Sequence, residues 1–406
     1  MTHDNRVEDA EGPAHGRLAF VDGLRGIAAL VVTIGHTVLM VPPDRPILDF
    51  FHTDFEHRLV WPFLFGTQMV FLFIMLSGFG LYWSEENRIA SGYSATSLRV
   101  FVARRAWRIL PTYYVALALG LVVVHLGGPW LVDVSASYMM SGPVTPGGLL
   151  SHLVLGHNMS PGWTHQVNPP LWSIAFEVQL YLLFPLLVLI GTRWNPYLGA
   201  SLLIVALEVI NQVSPVPVFG LFFYFCAGVM VAHATRRHRL PRGVFLAIGV
   251  TGMLAGATRS AALTEGVRGQ LLWAAAFSCL LVGLVGAREG RFNVPTWRST
   301  VWVGHRSYSL YATHFPVLLV VWALVGRLGL GRTMAVVTML AVGVPIAIMA
   351  AALCYRWVEL PSLARVRATR QAVGQPAEPL TEPSPSDAPG PGSGADGLTG
   401  RAGAHP

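Results

Sequence analysis

The chain contains no lysine: all 28 of its basic residues are arginine, a bias that fits GC-rich coding better than any function. Charge of either sign is scarce. Charged residues make up 12% of the chain and hydrophobic residues 53%, where a soluble globular chain carries about 25% charged residues. That shortage excludes an ordinary soluble domain and points to an all-α, multi-pass membrane protein. The formal charge of +7 and pI near 9.7 could suggest nucleic acid. The arginines, however, fall in short loops between apolar runs, as membrane topology requires, so no nucleic-acid partner is expected. The only cysteines are Cys226, Cys279 and Cys354, each in a separate apolar run. They form neither a disulfide framework nor a metal site. A cleavable leader is not expected either. The apolar segment 18–41 is too long for a signal-peptide core, Asp22 and Arg25 interrupt it, and no small-residue cleavage site follows. No internal repeat is visible.

What is present is a series of apolar runs long enough to cross a bilayer. About ten spans are expected, at roughly 18–41, 59–83, 106–126, 171–191, 197–213, 216–234, 243–258, 269–287, 301–325 and 333–355. With this count and a cytoplasmic N-terminus, 20 arginines fall inside, 6 outside and 2 within spans. Such asymmetry places both termini in the cytoplasm, with the protein in the plasma membrane. Residues 1–16 read as a flexible cytoplasmic tail and 17–365 as the transmembrane domain. Residues 366–406, rich in Pro, Gly, Ala and Ser, read as a disordered cytoplasmic tail. The longest outer loop, 127–170, carries His152, His157 and His165. Their spacing matches no metal motif, so they are expected to be exposed loop histidines and no metal is expected.

Ionisable residues inside spans are the candidates for chemistry, because such a group costs roughly 2.5–3.5 kcal/mol near the helix centre. Arg25 and His36 are eleven residues apart, which places them on one helix face about 16 Å apart along the axis. Arg25 lies toward the cytoplasmic side and His36 in the outer half, and Asp22 is placed to pair with Arg25. A second cluster, Arg104-Arg105-Ala-Trp-Arg108, sits at the mouth of the third span. Arg105 and Arg108 can point to one side and grip phosphate with planar forks, although a plain positive-inside anchor would look similar. In the fourth span, Ser173, Glu177 and Tyr181 form one polar face, and Glu177 is expected at the depth of His36. In the ninth, Ser307, Tyr311 and His314 share a face. The Ser77-Gly78-Phe79-Gly80 stretch offers a place where another backbone or a ligand can approach closely.

In this order, these clusters resemble the membrane acyltransferase 3 family. Asp22-Gly-Leu-Arg25 with His36 is similar to its R-x10-H signature, and Arg105-Ala-Trp-Arg108 to its RxxR motif. Phe71 to Phe79, Pro170-Leu-Trp172-Ser173 with Glu177, Ser307 to His314, and Val358-Glu359-Leu-Pro361 also fit. Gly80 and Ala312 stand where larger apolar residues are expected. The resemblance covers roughly 17–361 and implies a standalone member without a fused SGNH hydrolase-like domain. It implies transfer of an acyl group, usually acetyl, from acyl-CoA as co-substrate, with no permanently bound cofactor. The implied acceptor is a hydroxyl of a glycan, a lipid-linked sugar or a macrolide-like secondary metabolite.

Together these readings assign Arg25, Arg105, Arg108 and Ser77 to the acyl-CoA. His36 is the general base, Glu177 orients it, and Tyr311 and His314 stabilise the oxyanion or hold the acceptor. A covalent acyl-histidine remains an open route. The competing reading is a proton-coupled transporter using Glu177, His36 and His314 as a relay, which the arginine cluster does not call for.

Overall fold

The computed structural model describes residues 18–41, 63–127, 142–213, 219–257, 266–285 and 293–372, and among them every regular element is helical. The long helices are α1 (Ala19–Met40), α2 (Gly66–Ala90), α3 (Leu98–Gly127), α5 (Leu171–Arg193), α6 (Pro196–Val213), α7 (Phe219–Arg237), α8 (Arg242–Ala257) and α9 (Gly266–Leu284). Short α4 (Pro146–Leu153) and α10 (Arg298–His305) precede α5 and α11 (Ser307–Val325). The chain then runs as one rod through α12 (Arg332–Thr338), α13 (Val344–Cys354) and α14 (Leu360–Ala372), joined by π turns at Met339–Gly343 and Tyr355–Glu359. Among the described residues, six helical stretches are long and apolar enough to cross a membrane: Ala19–Met40, Gly66–Ala90, Leu98–Gly127, Leu171–Gly191, Ser307–Leu328 and Arg332–Ala368.

Four boundaries differ from the sequence expectation. The second span, placed at 59–83, is a helix from Gly66 to Ala90. The third, placed at 106–126, is a helix that begins at Leu98. The ninth, placed at 301–325, is broken at Arg306 between α10 and α11. The last helix runs to Ala372, past residue 366 where disorder was expected. The expected tail 1–16 and the chain beyond 372 lie outside the described residues.

Two glycine contacts explain the packing around α1 and α2. A Cβ on Gly26 would stand 2.3 Å from the Thr300 carbonyl oxygen, and one on Gly304 would stand 1.9 Å from that of Asp22. Thus α1 and α10 touch backbone to backbone, and the break at Arg306 lets α10 lie flat on α1 before α11 turns away. Similarly, Gly78 faces the Phe225 carbonyl and Gly228 that of Met75, at 2.2 and 2.1 Å from a built Cβ. The small-residue pairs substitute van der Waals contact for the hydrophobic drive that lipid cannot supply. The Gly78 contact matches the close approach expected of the Ser77–Gly80 stretch.

Prolines set two further junctions. A proline cannot donate to the carbonyl four residues earlier. Pro111 in α3 therefore frees the Trp107 carbonyl, which accepts from Ser362 of α14. Pro316 in α11 frees the Ala312 carbonyl, which accepts from Asn168 Nδ2 at 2.9 Å. Asn168 closes the segment 142–170, which covers one end of the bundle. Tyr113 and Tyr114 of α3 also hold this segment, through the carbonyls of His152 and Leu153, each at 2.8 Å.

Candidate active site

Three cavities lie in file along the Arg25–His36 face of α1. The first is a cleft of about 340 Å³ lined by Asp22, Arg25, Ser77, Gly80, Arg104, Arg105, Arg108 and Tyr181, among others. The second is a narrow section of about 30 Å³ between Arg25, Phe73, Ser173, Glu177, Tyr308 and Tyr311. The third is a chamber of about 270 Å³ lined by His36, Phe63, His165, Pro169, Pro170, Trp172 and Tyr311. Arg25 borders the first two, and Tyr311 with Val70 borders the last two. The eleven-residue spacing thus separates the two ends of one passage.

At the arginine end, α1, α2, α3 and α5 converge. The Arg25 guanidinium lies over the Phe73 ring at 5.9 Å, and Arg105 lies over Phe101 and Tyr181 at 5.7 and 5.4 Å. The buried Arg105 Nε has no hydrogen-bond partner among the described residues. Three nearby carboxylates, Glu177, Glu359 and Glu85, are occupied by hydroxyls. Ser77 donates to Glu177 Oε1 at 2.6 Å, and Tyr181 donates to the same oxygen. Ser309 donates to Glu359 Oε2 at 2.6 Å, and Thr96 binds Glu85 through its amide and its hydroxyl. Carboxylates held this way temper the positive field of the arginines that line the cleft. Gly80 opens on this cleft with free space where a side chain would stand.

One sequence expectation is extended here and one changes. Asp22, expected to pair with Arg25, acts on the Arg25 charge and also meets His305 of α10 at 3.7 Å, where the glycine contacts press α10 against that side of α1. Glu177 was expected to orient His36, but its partners are Ser77 and Tyr181, and it borders the narrow section with Arg25. The reason is depth. Helix α5 starts level with the chamber, where Pro170 and Trp172 are, so Glu177 lies about 9 Å further along it, toward the arginines.

At the histidine end, the partner of His36 is His314. His36 Nδ1 and His314 Nε2 are 2.8 Å apart, and Phe315 meets the His36 ring edge-on at 5.8 Å. His314 is fully buried and does not border the chamber. Its expected contact with the acceptor is therefore replaced by contact with His36. Tyr311 stands where the narrow section opens, its hydroxyl 2.7 Å from Ser173 Oγ and its ring against Phe73.

The loop histidines are not all exposed, as was expected. His152 and His157 are buried and stacked face to face, with centroids 3.8 Å apart. Tyr113 draws the segment inward by its bond to the His152 carbonyl. Burial pushes both imidazoles down in pKa, His157 to about 3. Only His165 reaches the chamber. Among the described residues, no group of three His, Cys, Asp or Glu could hold a metal.

Sequence reasoning assigned no part to Glu359, Arg104, Asn168 or His165. Glu359, a lone acid at the end of an apolar run, carried the clearest signal. Its pairing with Ser309 and its place in the field of Arg108 arise from the π turn that ends on it.

A curated relative, acyltransferase MdmB of Streptomyces mycarofaciens, is 24% identical over 409 aligned residues, covering 91% of this chain and 97% of its own. No solved structure matches. The model of the acyltransferase domain family matches residues 18–355, and the chain therefore belongs to the acyltransferase 3 family.

Proposed function

We propose that the protein moves a short acyl group, acetyl in the simplest case, from acyl-CoA to a hydroxyl of a glycan, lipid-linked sugar or macrolide-like metabolite. The proposal includes the ten-span plasma-membrane arrangement with both termini in the cytoplasm. The observation that carries it is the row of cavities leading from Arg104, Arg105 and Arg108, past Arg25, to His36. CoA is a cytoplasmic polyanion with a long flexible arm ending in the thioester. Arg25, Arg104, Arg105 and Arg108 suit its phosphates, and Ser77 borders the same cleft. The arm then follows the Arg25–His36 face through the narrow section. That section must widen to admit it, by parting Tyr311 from Ser173 and Phe73.

In the chamber, His36 takes the proton of the acceptor hydroxyl as its oxygen attacks the thioester carbonyl. The new C–O bond gives a tetrahedral oxyanion, and Tyr311 is the hydroxyl placed to donate to it. Collapse breaks the C–S bond, and the departing thiolate takes the proton from His36, leaving the base as it began. The rings of Trp172 and Phe63, with the imidazole of His165, suit a rigid hydroxylated ring as acceptor.

The test is mass spectrometry of surface glycans, glycolipids and secreted metabolites from wild-type and deletion strains. Loss of one acyl mass from one compound is the expected result. Unchanged profiles, together with purified protein that releases no CoA from acetyl-CoA and extract, overturn the proposal. Proton-driven uptake without CoA release would instead support the transporter reading.

A further inference from the structure

We infer that His314 is a positioning residue that fixes the proton of His36 on Nδ1, so that the base acts through Nε2. The inference rests on the reading of His36 as the base. His314 Nδ1 lies 3.0 Å from the Leu310 carbonyl oxygen, one turn back in α11. A carbonyl can only accept, so His314 Nδ1 carries a proton. The ring is buried, and among the described residues no carboxylate touches it. A second buried proton would have no anion to hold it, so His314 Nε2 is a bare lone pair. That lone pair faces His36 Nδ1 at 2.8 Å, and His36 Nδ1 must therefore be the donor. The chain of protons runs one way, from His36 through His314 to the Leu310 carbonyl.

The ring geometry supports an in-line bond. The two planes are within 7° and their centroids are 5.1 Å apart. That separation is the length of the bond plus a ring radius at each end, so the imidazoles meet edge to edge in one plane. His36 borders the chamber and His314 does not, which leaves His36 Nε2 as the nitrogen offered to the acceptor. An unconstrained histidine side chain carries its proton mostly on Nε2, the wrong nitrogen for a base acting there. His314 reverses that preference, and it is anchored to main chain, which no side-chain exchange at Leu310 removes. When Nε2 takes the acceptor's proton, Nδ1–H stays bonded to His314, so the ring stays aligned until the thiolate takes the proton back.

The experiment measures acyl transfer by purified His314→Leu and His314→Gln proteins in nanodiscs, with kcat and both KM values. Leucine keeps the volume and removes the acceptor for Nδ1–H. Glutamine restores an acceptor oxygen near the Nε2 position. His314→Leu is expected to lower kcat on the order of 100-fold, the scale of a misdirected general base, with KM for acyl-CoA and acceptor within about twofold. His314→Gln is expected to regain most of that loss. Acyl-CoA affinity at the arginine end, measured by calorimetry, establishes that each variant is folded. Wild-type kcat in His314→Leu overturns the inference, as does a loss confined to acceptor KM, or a folded His314→Gln as slow as His314→Leu. His36→Ala separates the two levels. If it stays active, the assignment of the base has failed; if it is inactive while His314 variants are normal, only the inference about His314 has failed.

Discussion

The two ends of the passage are built from different chemistry. Arginines dominate the cleft, with nearby carboxylates held by hydroxyls, as in Ser77–Glu177 and Ser309–Glu359, or by an imidazole, as in Asp22–His305. Among the described residues, the chamber has aromatic and proline walls, two histidines and no carboxylate. In the proposed reaction one end holds a large negative charge and the other moves a single proton. An acidic residue beside His36 would bias the base toward staying protonated, and an arginine there would repel the proton it must accept. Keeping the charges about 16 Å away along α1 lets one helix serve both tasks.

Substitutions can break or sharpen this contrast. The largest effect is expected from His36→Ala, with kcat falling by about 10³-fold or more while acyl-CoA still binds. Measured turnover and calorimetric affinity check it, and parallel loss of both would merge the two ends. Next, Arg105→Gln and Arg108→Gln are each expected to raise the KM for acyl-CoA by about 10-fold, from the loss of a charged hydrogen bond, with kcat and acceptor KM little changed. A fall in kcat alone would move these residues into the chemistry. Glu359→Gln is a milder test of the same end. It keeps the shape and removes the carboxylate charge that tempers Arg108, and a fall in acyl-CoA KM of about threefold is expected.

The smallest effect concerns the cover of the chamber. His152 and His157 are buried in neutral form, with pKa values below the ordinary one near 6.5 and that of His157 about 3. Their contribution is fully present above pH about 6.5 and is lost as pH falls toward about 3, where the folded segment would have to take up the same protons. Hydrogen-exchange protection factors across 142–170 should therefore decline with acid. A His157→Phe protein should decline less, and acyl-CoA affinity should be unaffected in both.

The apolar runs of the sequence made the helices legible, and the intramembrane charges located both ends of the site. Arg25 and His36 could be placed because one helix carries both and its period is known. Glu177 could not be placed against His36, because that depends on where α5 begins relative to α1, which no local pattern records. Nor could the partnership of His36 with His314, 278 residues apart in sequence, since each signals only as a polar residue on an apolar helix. The break at Arg306 and the pairing of Asp22 with His305 follow from backbone contact at Gly26 and Gly304. In sequence those glycines look like any others in a membrane helix.

The bond from Asn168 to the Ala312 carbonyl has a consequence for how such a protein can diversify. The cover over the chamber is moored to a main-chain atom that Pro316 leaves vacant. The mooring does not depend on which side chain occupies position 312. Side chains between α4 and α5 can then change while the attachment point stays the same. The wall that His165, Pro169 and Pro170 give the chamber can therefore vary without moving the cleft, His36 or His314.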